Sequence, residues 1–83
     1  MHLTDLDRAI LDLERTWWTT ARSKESSIRD HLGLSPTRYY RLLALLAEDD
    51  AALAYDPLTI KRLQRRRAAR QEARVRRRRA GPR

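Results

Sequence analysis

The sequence predicts an all-α fold: a small domain of three to four helices, with a helix-turn-helix at its centre and a basic C-terminal helix that projects from it. Apolar side chains recur at helical spacing in successive segments. Residues that cap helices precede those segments, most clearly Ser35 before Pro36 and Asp56 before Pro57. The chain has 83 residues, which is enough for one small domain.

The first predicted helix runs from about residue 5 to residue 21. Thr4 stands three residues before Asp7, which is a weaker form of the capping box. Apolar side chains recur along one face of this helix, and the opposite side is polar. The apolar face comprises Leu6, Ile10, Leu13 and Trp17, a neighbouring face carries Leu11 and Trp18, and the polar side carries Asp12, Glu14 and Arg15.

Two adjacent tryptophans lie near the end of this helix, and they cannot both occupy the centre of a small core. Successive residues of an α-helix point about 100° apart. Trp17 is therefore expected in the core, whereas Trp18 either covers the edge of the core or meets a partner.

Residues 24–46 have the pattern of a helix-turn-helix. Gly33 stands where the first helix would end, because glycine adopts a left-handed backbone without steric cost. Ser35 is predicted to cap the second helix, which can lie in a DNA major groove. Arg29 departs from the pattern, since that position is usually small where the two helices approach. The apolar faces comprise Ile28 and Leu32 in the first helix, and Tyr39, Leu42, Leu43 and Leu46 in the second.

A short helical turn at residues 51–55 and a long C-terminal helix are predicted next. Leu45 is expected to pack against Leu53. Asp56 is the predicted cap of the last helix, which Gly81 and Pro82 end. The beginning of this helix is expected to dock on the body through Leu58, Ile60 and Leu63. The chain is therefore divided into a helical body, residues 1–60, and an arginine-rich C-terminal helix or tail, residues 61–83.

The charge is distributed unevenly along the chain. The net charge is +8, but Lys61 to Arg83 contains twelve basic residues and one acid, whereas residues 1–60 contain seven basic and ten acidic residues. A slightly acidic body with a strongly basic tail indicates binding to nucleic acid or to another polyanion. A membrane-surface role is disfavoured, because the tail lacks the large apolar face of an interfacial helix.

Composition argues against catalysis and against a cofactor or metal site. The chain has no cysteine, two histidines and two glycines, so cysteine ligands and a glycine-rich phosphate loop are both lacking. His31 is expected to be a solvated surface residue. No apolar run is long enough to span a bilayer. Asp5 and Asp7 stand where a signal peptide would be basic and then apolar, so a cytoplasmic location is expected.

The predicted nucleic-acid contacts fall in two groups. At the start of the second helix-turn-helix helix, Ser35 and Thr37 are placed to hold a phosphate, and Arg38 or Arg41 to contact guanine or phosphate. Tyr40 is placed to touch the DNA backbone or bases, or else it is half-buried on a solvated face. The tail contributes Lys61, Arg62, Arg65, Arg66, Arg67, Arg70, Arg74, Arg76, Arg77, Arg78 and Arg79.

The arginines of the tail surround most of the predicted helix instead of forming one face. This distribution suits phosphates that approach from several sides and does not suit a base code. The helix is expected to project, to fray in water and to become firmer on a polyanion, because like charges at i,i+4 oppose helix formation. The alternative is a solvated, disordered extension.

The chain resembles a family of small actinobacterial proteins built on a conserved domain of unknown function. The resemblance rests on LTDLDRAILDLERTWW at 3–18, KESSIRDHLGLSPTRYYRLL at 24–43 and DPLTIKRLQRRRAAR at 56–70. It implies a compact helical domain with a helix-turn-helix-like centre and an arginine-rich C-terminus. It also implies a DNA-binding, nucleoid-associated or regulatory role, and it brings no established catalytic residues.

Together these observations predict a DNA-binding protein of the cytoplasmic nucleoid that grips double-stranded DNA with little sequence specificity. Two alternatives remain: a protein-interaction module of the transcription machinery that binds RNA polymerase, and an RNA or ribosome binder. A homodimer is a further expectation, with Trp18, Leu11 or Leu45 in a small interface.

Overall fold

The computed structural model describes residues 2–19 and 21–79, and all regular secondary structure within these ranges is helical. The all-α prediction is therefore confirmed. In chain order the elements are α1 (Asp5–Thr16), a 3₁₀ turn (Trp17–Thr19), α2 (Lys24–Ser27) with a π-helical turn (Ile28–Leu32), α3 (Pro36–Leu46), α4 (Asp50–Tyr55) and α5 (Pro57–Arg79).

The start of α1 agrees with the sequence prediction, and its end does not. The Asp7 N–H donates to the Thr4 hydroxyl oxygen and the Thr4 N–H donates to the Asp7 carboxylate, each at 3.0 Å, so the capping box is complete. The α-helix ends at Thr16, because the chain then tightens into the 3₁₀ turn that carries both tryptophans. A continuous helix to residue 21 was therefore an overestimate.

The helix-turn-helix pattern is confirmed as two short helices with a three-residue connection. Gly33 adopts a left-handed backbone with φ 65°, and its N–H donates to the Arg29 carbonyl oxygen at 3.0 Å. Ser35 caps α3 by accepting a hydrogen bond from the Arg38 N–H at 3.2 Å, and Pro36 begins the helix. Arg29 stands where a small residue is usual, and its side chain is exposed. A small residue in the same helix, Ser27, is fully buried.

The core is formed by one face each of α1, α3 and α5, together with the first helix of the helix-turn-helix and the small α4. Tyr39 is fully buried near its centre. The other buried apolar residues are Ile10, Leu11, Leu13, Ile28, Leu43, Leu46, Ala47, Ala52, Ile60 and Leu63.

Four leucines differ from their predicted environments. Leu58 is 80% exposed and Leu45 is 65% exposed, so neither contributes to the core as expected. Leu6 is also exposed, whereas Leu11 is fully buried and cannot form a dimer interface. Thr59 is buried in place of Leu58, whereas Ile60 and Leu63 are buried as the sequence predicts.

Helix α5 begins in the body and then leaves it. Asp56 caps the helix by accepting from the Thr59 N–H at 3.3 Å, and Leu63 is the last residue of the helix to be buried. Residues 64–79, here called the arginine segment, continue for a further sixteen residues, or about 24 Å of helix. The boundary placed at residue 60 therefore lies inside α5. The predicted stop at Gly81 and Pro82 falls outside the described residues.

Candidate nucleic-acid interface

The predicted reading face of the helix-turn-helix lies on the first two turns of α3. Thr37, Arg38 and Arg41 are exposed, and Tyr40 is 42% exposed. The Ser35 oxygen already accepts the Arg38 N–H. Ser35 is thus a capping residue. The side chains left to contact DNA at this face are those of Thr37, Arg38, Tyr40 and Arg41.

The arginine segment is almost entirely solvent-exposed. Within it only Ala73 is half-buried, and all nine arginines are exposed. Arg67 lies 3.4 Å from Glu48 and Arg76 lies 3.9 Å from Glu72, in ion pairs between exposed side chains. Such surface pairs contribute about 0–1 kcal/mol. They would therefore be exchanged readily for contacts with a phosphate.

Arg62 differs from the other basic residues of α5, because its guanidinium is used inside the body. Its Nη2 donates to the carbonyl oxygen of Glu14 at 3.2 Å, and the side chain is half-buried. The Gln64 amide likewise donates to the Ala47 carbonyl oxygen at 2.9 Å. These two hydrogen bonds hold the base of the arginine segment against α1 and the end of α3.

The sequence prediction placed Glu14 on the polar side of α1, and this was wrong. The Glu14 side chain is only 1% exposed. Its Oε1 accepts a hydrogen bond from the Tyr39 hydroxyl at 2.7 Å and lies 2.8 Å from the Lys24 Nζ. Its Oε2 lies 4.0 Å from Arg66. We call Glu14, Lys24, Tyr39 and Arg66 the Glu14 cluster.

The ammonium group of Lys24 is enclosed by aromatic rings as well as by the carboxylate. Its Nζ lies 4.9 Å from the Tyr40 ring centroid, 5.5 Å from that of Trp17 and 5.6 Å from that of Tyr39. Rings at these distances attract a cation electrostatically. Trp17 thus packs at the core as expected, whereas Trp18 is 63% exposed.

The Glu14 cluster connects the helices that carry the two predicted nucleic-acid surfaces. Its four residues come from α1, α2, α3 and α5. The arginine segment and the reading face of α3 therefore share a common support. In the sequence, the only sign of the Glu14 cluster is that the Glu14 carboxylate lies close to the apolar face of α1. The partners of Glu14 are distant in sequence, and no local pattern indicates them.

Burial of Tyr39, together with its hydrogen bond to Glu14, raises the pKa of the phenol well above its ordinary value. An unfolded tyrosine ionises near pH 10. The stability linked to Tyr39 is therefore complete below about pH 10 and is lost as the pH rises through the higher folded-state pKa, by about 1.4 kcal/mol per pH unit.

We expect Tyr39→Phe to lower the free energy of unfolding by about 1.5–3 kcal/mol at neutral pH, because a hydrogen bond to a buried carboxylate is lost. Its stability should also fall less steeply above pH 10 than that of the wild type. Urea titrations at several pH values measure both effects. Tyr55→Phe is the control, since the Tyr55 hydroxyl donates to Asp12 at the surface and should matter less. Equal alkaline slopes for the wild type and Tyr39→Phe would contradict the assignment.

The described residues show neither a metal site nor a membrane span. No group of histidine, aspartate and glutamate side chains within residues 2–19 and 21–79 is arranged to hold a metal ion. No helix in these ranges is both long enough and apolar enough to cross a bilayer. His31 is exposed, as the sequence predicts.

The chain is thus a small all-α protein in which a helix-turn-helix unit shares the Glu14 cluster with a long basic helix. The chain belongs to the DUF3263 family, described as a protein of unknown function, whose model matches residues 2–75. This confirms the resemblance to a domain of unknown function that spans most of the chain. Comparison with curated proteins and with solved structures finds no match.

Proposed function

We propose that the protein binds double-stranded DNA, as a nucleoid-associated protein or a transcription regulator, with little sequence specificity. The arginine segment carries the proposal. It presents nine arginines and one glutamate on sixteen consecutive helical residues, all nine arginines exposed. Phosphate neutralisation by such a surface supplies affinity that does not depend on sequence.

The helix-turn-helix supplies the second contact surface of this proposal. The major groove of B-DNA is about 12 Å wide and admits an α-helix. If α3 enters it, Arg38 and Arg41 can reach guanine or a phosphate, and the arginine segment extends along the adjacent backbone. Arg62 and Gln64 support this arrangement, because they hold the base of the arginine segment on the body.

Weak sequence preference follows from the balance of side chains. The exposed residues of α3 that suit base edges are few, whereas the arginine segment surrounds its helix with charge. Contacts with phosphate position a protein on DNA and carry no sequence information, whereas contacts with base edges specify. Charge that seeks phosphates should therefore dominate the affinity.

A salt titration of the full-length chain tests the proposal, with a random duplex and with genomic fragments as ligands. If about six arginines neutralise phosphates, the slope of log K against log salt should be near −5. A shallow slope near −1, or no binding at moderate salt, would contradict DNA binding through the arginine segment. A strong preference for one fragment would instead indicate base reading by α3.

A second candidate is a protein-interaction module of the transcription machinery, which binds RNA polymerase. It is favoured by Trp18, which is 63% exposed in the 3₁₀ turn after α1, on a body of net negative charge. Trp18 fluorescence that does not respond to DNA but changes with RNA polymerase would support it. Competition between structured RNA and duplex DNA distinguishes an RNA or ribosome binder from both.

A further inference from the structure

An open groove runs between α3 and the arginine segment, and it shares Tyr40 and several arginines with the proposed duplex surface. The Tyr40 ring that borders it also lies 4.9 Å from the Lys24 Nζ. The volume of the groove is about 390 Å³. The two helices present facing stripes to it. The wall from α3 comprises Tyr40, Leu43, Ala44 and Ala47, and the wall from α5 comprises Leu63, Arg67, Arg70, Gln71 and Arg74. We call it the α3–α5 groove.

The two ends of the α3–α5 groove differ in chemistry. At one end the helices are joined by the hydrogen bond from Gln64 to the Ala47 carbonyl oxygen and by the Arg67–Glu48 ion pair. Buried Leu43 and Leu63 make this end apolar. The remainder of the groove is lined by an exposed aromatic ring, an amide and two guanidinium groups, those of Tyr40, Gln71, Arg70 and Arg74.

This combination matches a nucleotide better than it matches a peptide helix. Single-stranded nucleic acid is held by aromatic rings that stack on bases and by cationic side chains that track the backbone. Gln71 can both donate and accept at the polar edge of a base. A partner helix would need an apolar strip along the whole groove, and here the apolar lining is concentrated at the closed end.

The size of the groove restricts the ligand further. A volume of this order accommodates a small molecule, and the bases of a duplex are paired and stacked, so they cannot enter it. A base of a single strand, or one extruded from a duplex, has an accessible face and edge. The positive charge of Arg70 and Arg74 is complementary to the phosphate that accompanies it.

We propose that the α3–α5 groove binds an unpaired nucleotide, with its base against Tyr40 and its phosphate on Arg70 and Arg74. This proposal rests on the proposed function in one respect: the arginine segment must meet nucleic acid. The protein would then bind single strands, or duplexes with unpaired bases, through a site that an intact duplex leaves empty.

The test compares three ligands of equal length by fluorescence anisotropy: an oligothymidylate of about twelve nucleotides, an abasic strand with the same phosphates, and a duplex. The wild type should bind the oligothymidylate about tenfold more tightly than the abasic strand, because stacking of one base contributes a factor of this size. Equal affinity for these two strands would overturn the proposal.

Variants locate the effect in the groove. Ala44→Phe fills the groove without changing any charge, and Leu45→Phe is the matched control, since Leu45 is the next residue and is absent from the groove lining. Ala44→Phe should abolish the preference for the oligothymidylate and leave duplex binding unchanged. Leu45→Phe should change neither. Retention of the preference in Ala44→Phe would overturn the proposal.

A second pair of variants tests stacking directly. Tyr40→Ala should lose the same preference, and Tyr40→Trp should restore it with a larger ring. Circular dichroism confirms that each variant is folded. Steep, salt-dependent binding to the duplex, with equal affinity for the oligothymidylate and the abasic strand, would refute the nucleotide site but not the proposed function. Failure to bind any of the three ligands would refute both.

Discussion

Glu14→Gln is expected to lower the free energy of unfolding by about 3–5 kcal/mol, which is the cost of removing one partner from a buried ion pair. Glutamine has nearly the same shape and can still accept the hydrogen bond from Tyr39. It removes the negative charge 2.8 Å from the Lys24 Nζ, whose side chain is only 12% exposed. Since small domains have a total stability of about 5–15 kcal/mol, this variant should be close to unfolding.

Urea denaturation measures the effect, and Glu25→Gln is its control. Glu25 lies on α2 beside Lys24 in sequence but is exposed, so its replacement should change stability by less than about 0.5 kcal/mol. A Glu14→Gln variant as stable as this control would show that the carboxylate contributes nothing as a charge.

A double variant separates the lost attraction between Glu14 and Lys24 from the cost of leaving the Lys24 ammonium group without its carboxylate. In Glu14→Gln the Lys24 ammonium group is left without its carboxylate, although the three rings still surround it. Adding Lys24→Met removes that cation and should recover part of the stability, because an apolar replacement of a buried pair is often tolerated. A double variant less stable than Glu14→Gln alone would contradict this explanation.

The features predicted correctly from the sequence depend on contacts within one helical turn. Thr4 and Asp7 form a capping box, Gly33 ends a helix, and Ser35 begins the next. In each case the two groups joined by the hydrogen bond are at most four residues apart. Local chemistry therefore determines where these helices begin and where the turn lies.

The features that the sequence did not predict depend on how the helices pack. Glu14 lies near the apolar face of α1, and only Tyr39 and Lys24, brought close by the fold, make its burial favourable. Thr59 is buried and Leu58 is exposed because the packing of Ile60 and Leu63 sets which side of α5 faces the core, and Leu58 lies about 200° around the helix from Ile60. A periodic pattern predicts that a face exists and does not fix its rotation.

The candidate interface divides in the same way. The positive charge of the arginine segment follows from composition and was predicted. The α3–α5 groove was not, because Tyr40 and Arg70 lie thirty residues apart and line one groove only in the fold, where Gln64 holds α5 against the end of α3. Residue types can be read from the chain, whereas a site that two helices share needs the fold.

Replacing Arg76, Arg77, Arg78 and Arg79 together with glutamine is expected to flatten the slope of log K against log salt by about 3.6, if each arginine neutralises one phosphate. Affinity at moderate salt should fall on the order of a hundredfold to a thousandfold. Glutamine is a good helix former, so α5 should persist. The Arg76–Glu72 pair that is lost joins exposed side chains and contributes little.

The matched control replaces the same four residues with lysine. Lysine keeps the charge and loses the planar fork that binds phosphate through two hydrogen bonds. The slope should therefore stay near that of the wild type, with a smaller loss of affinity. A slope unchanged by the glutamine variant would show that the end of α5 does not contact DNA. A lysine variant as weak as the glutamine variant would show that guanidinium geometry, not charge, governs binding.

The same glutamine variant also decides where any sequence preference resides. Phosphates repeat identically along every duplex, so loss of phosphate contacts should weaken binding to random and genomic fragments by the same factor. The ratio of their affinities then belongs to α3, where Arg38 and Arg41 are exposed. If the glutamine variant instead changes that ratio, α5 also contacts base edges. The assignment of base contacts to α3 and of phosphate contacts to α5 would then be wrong.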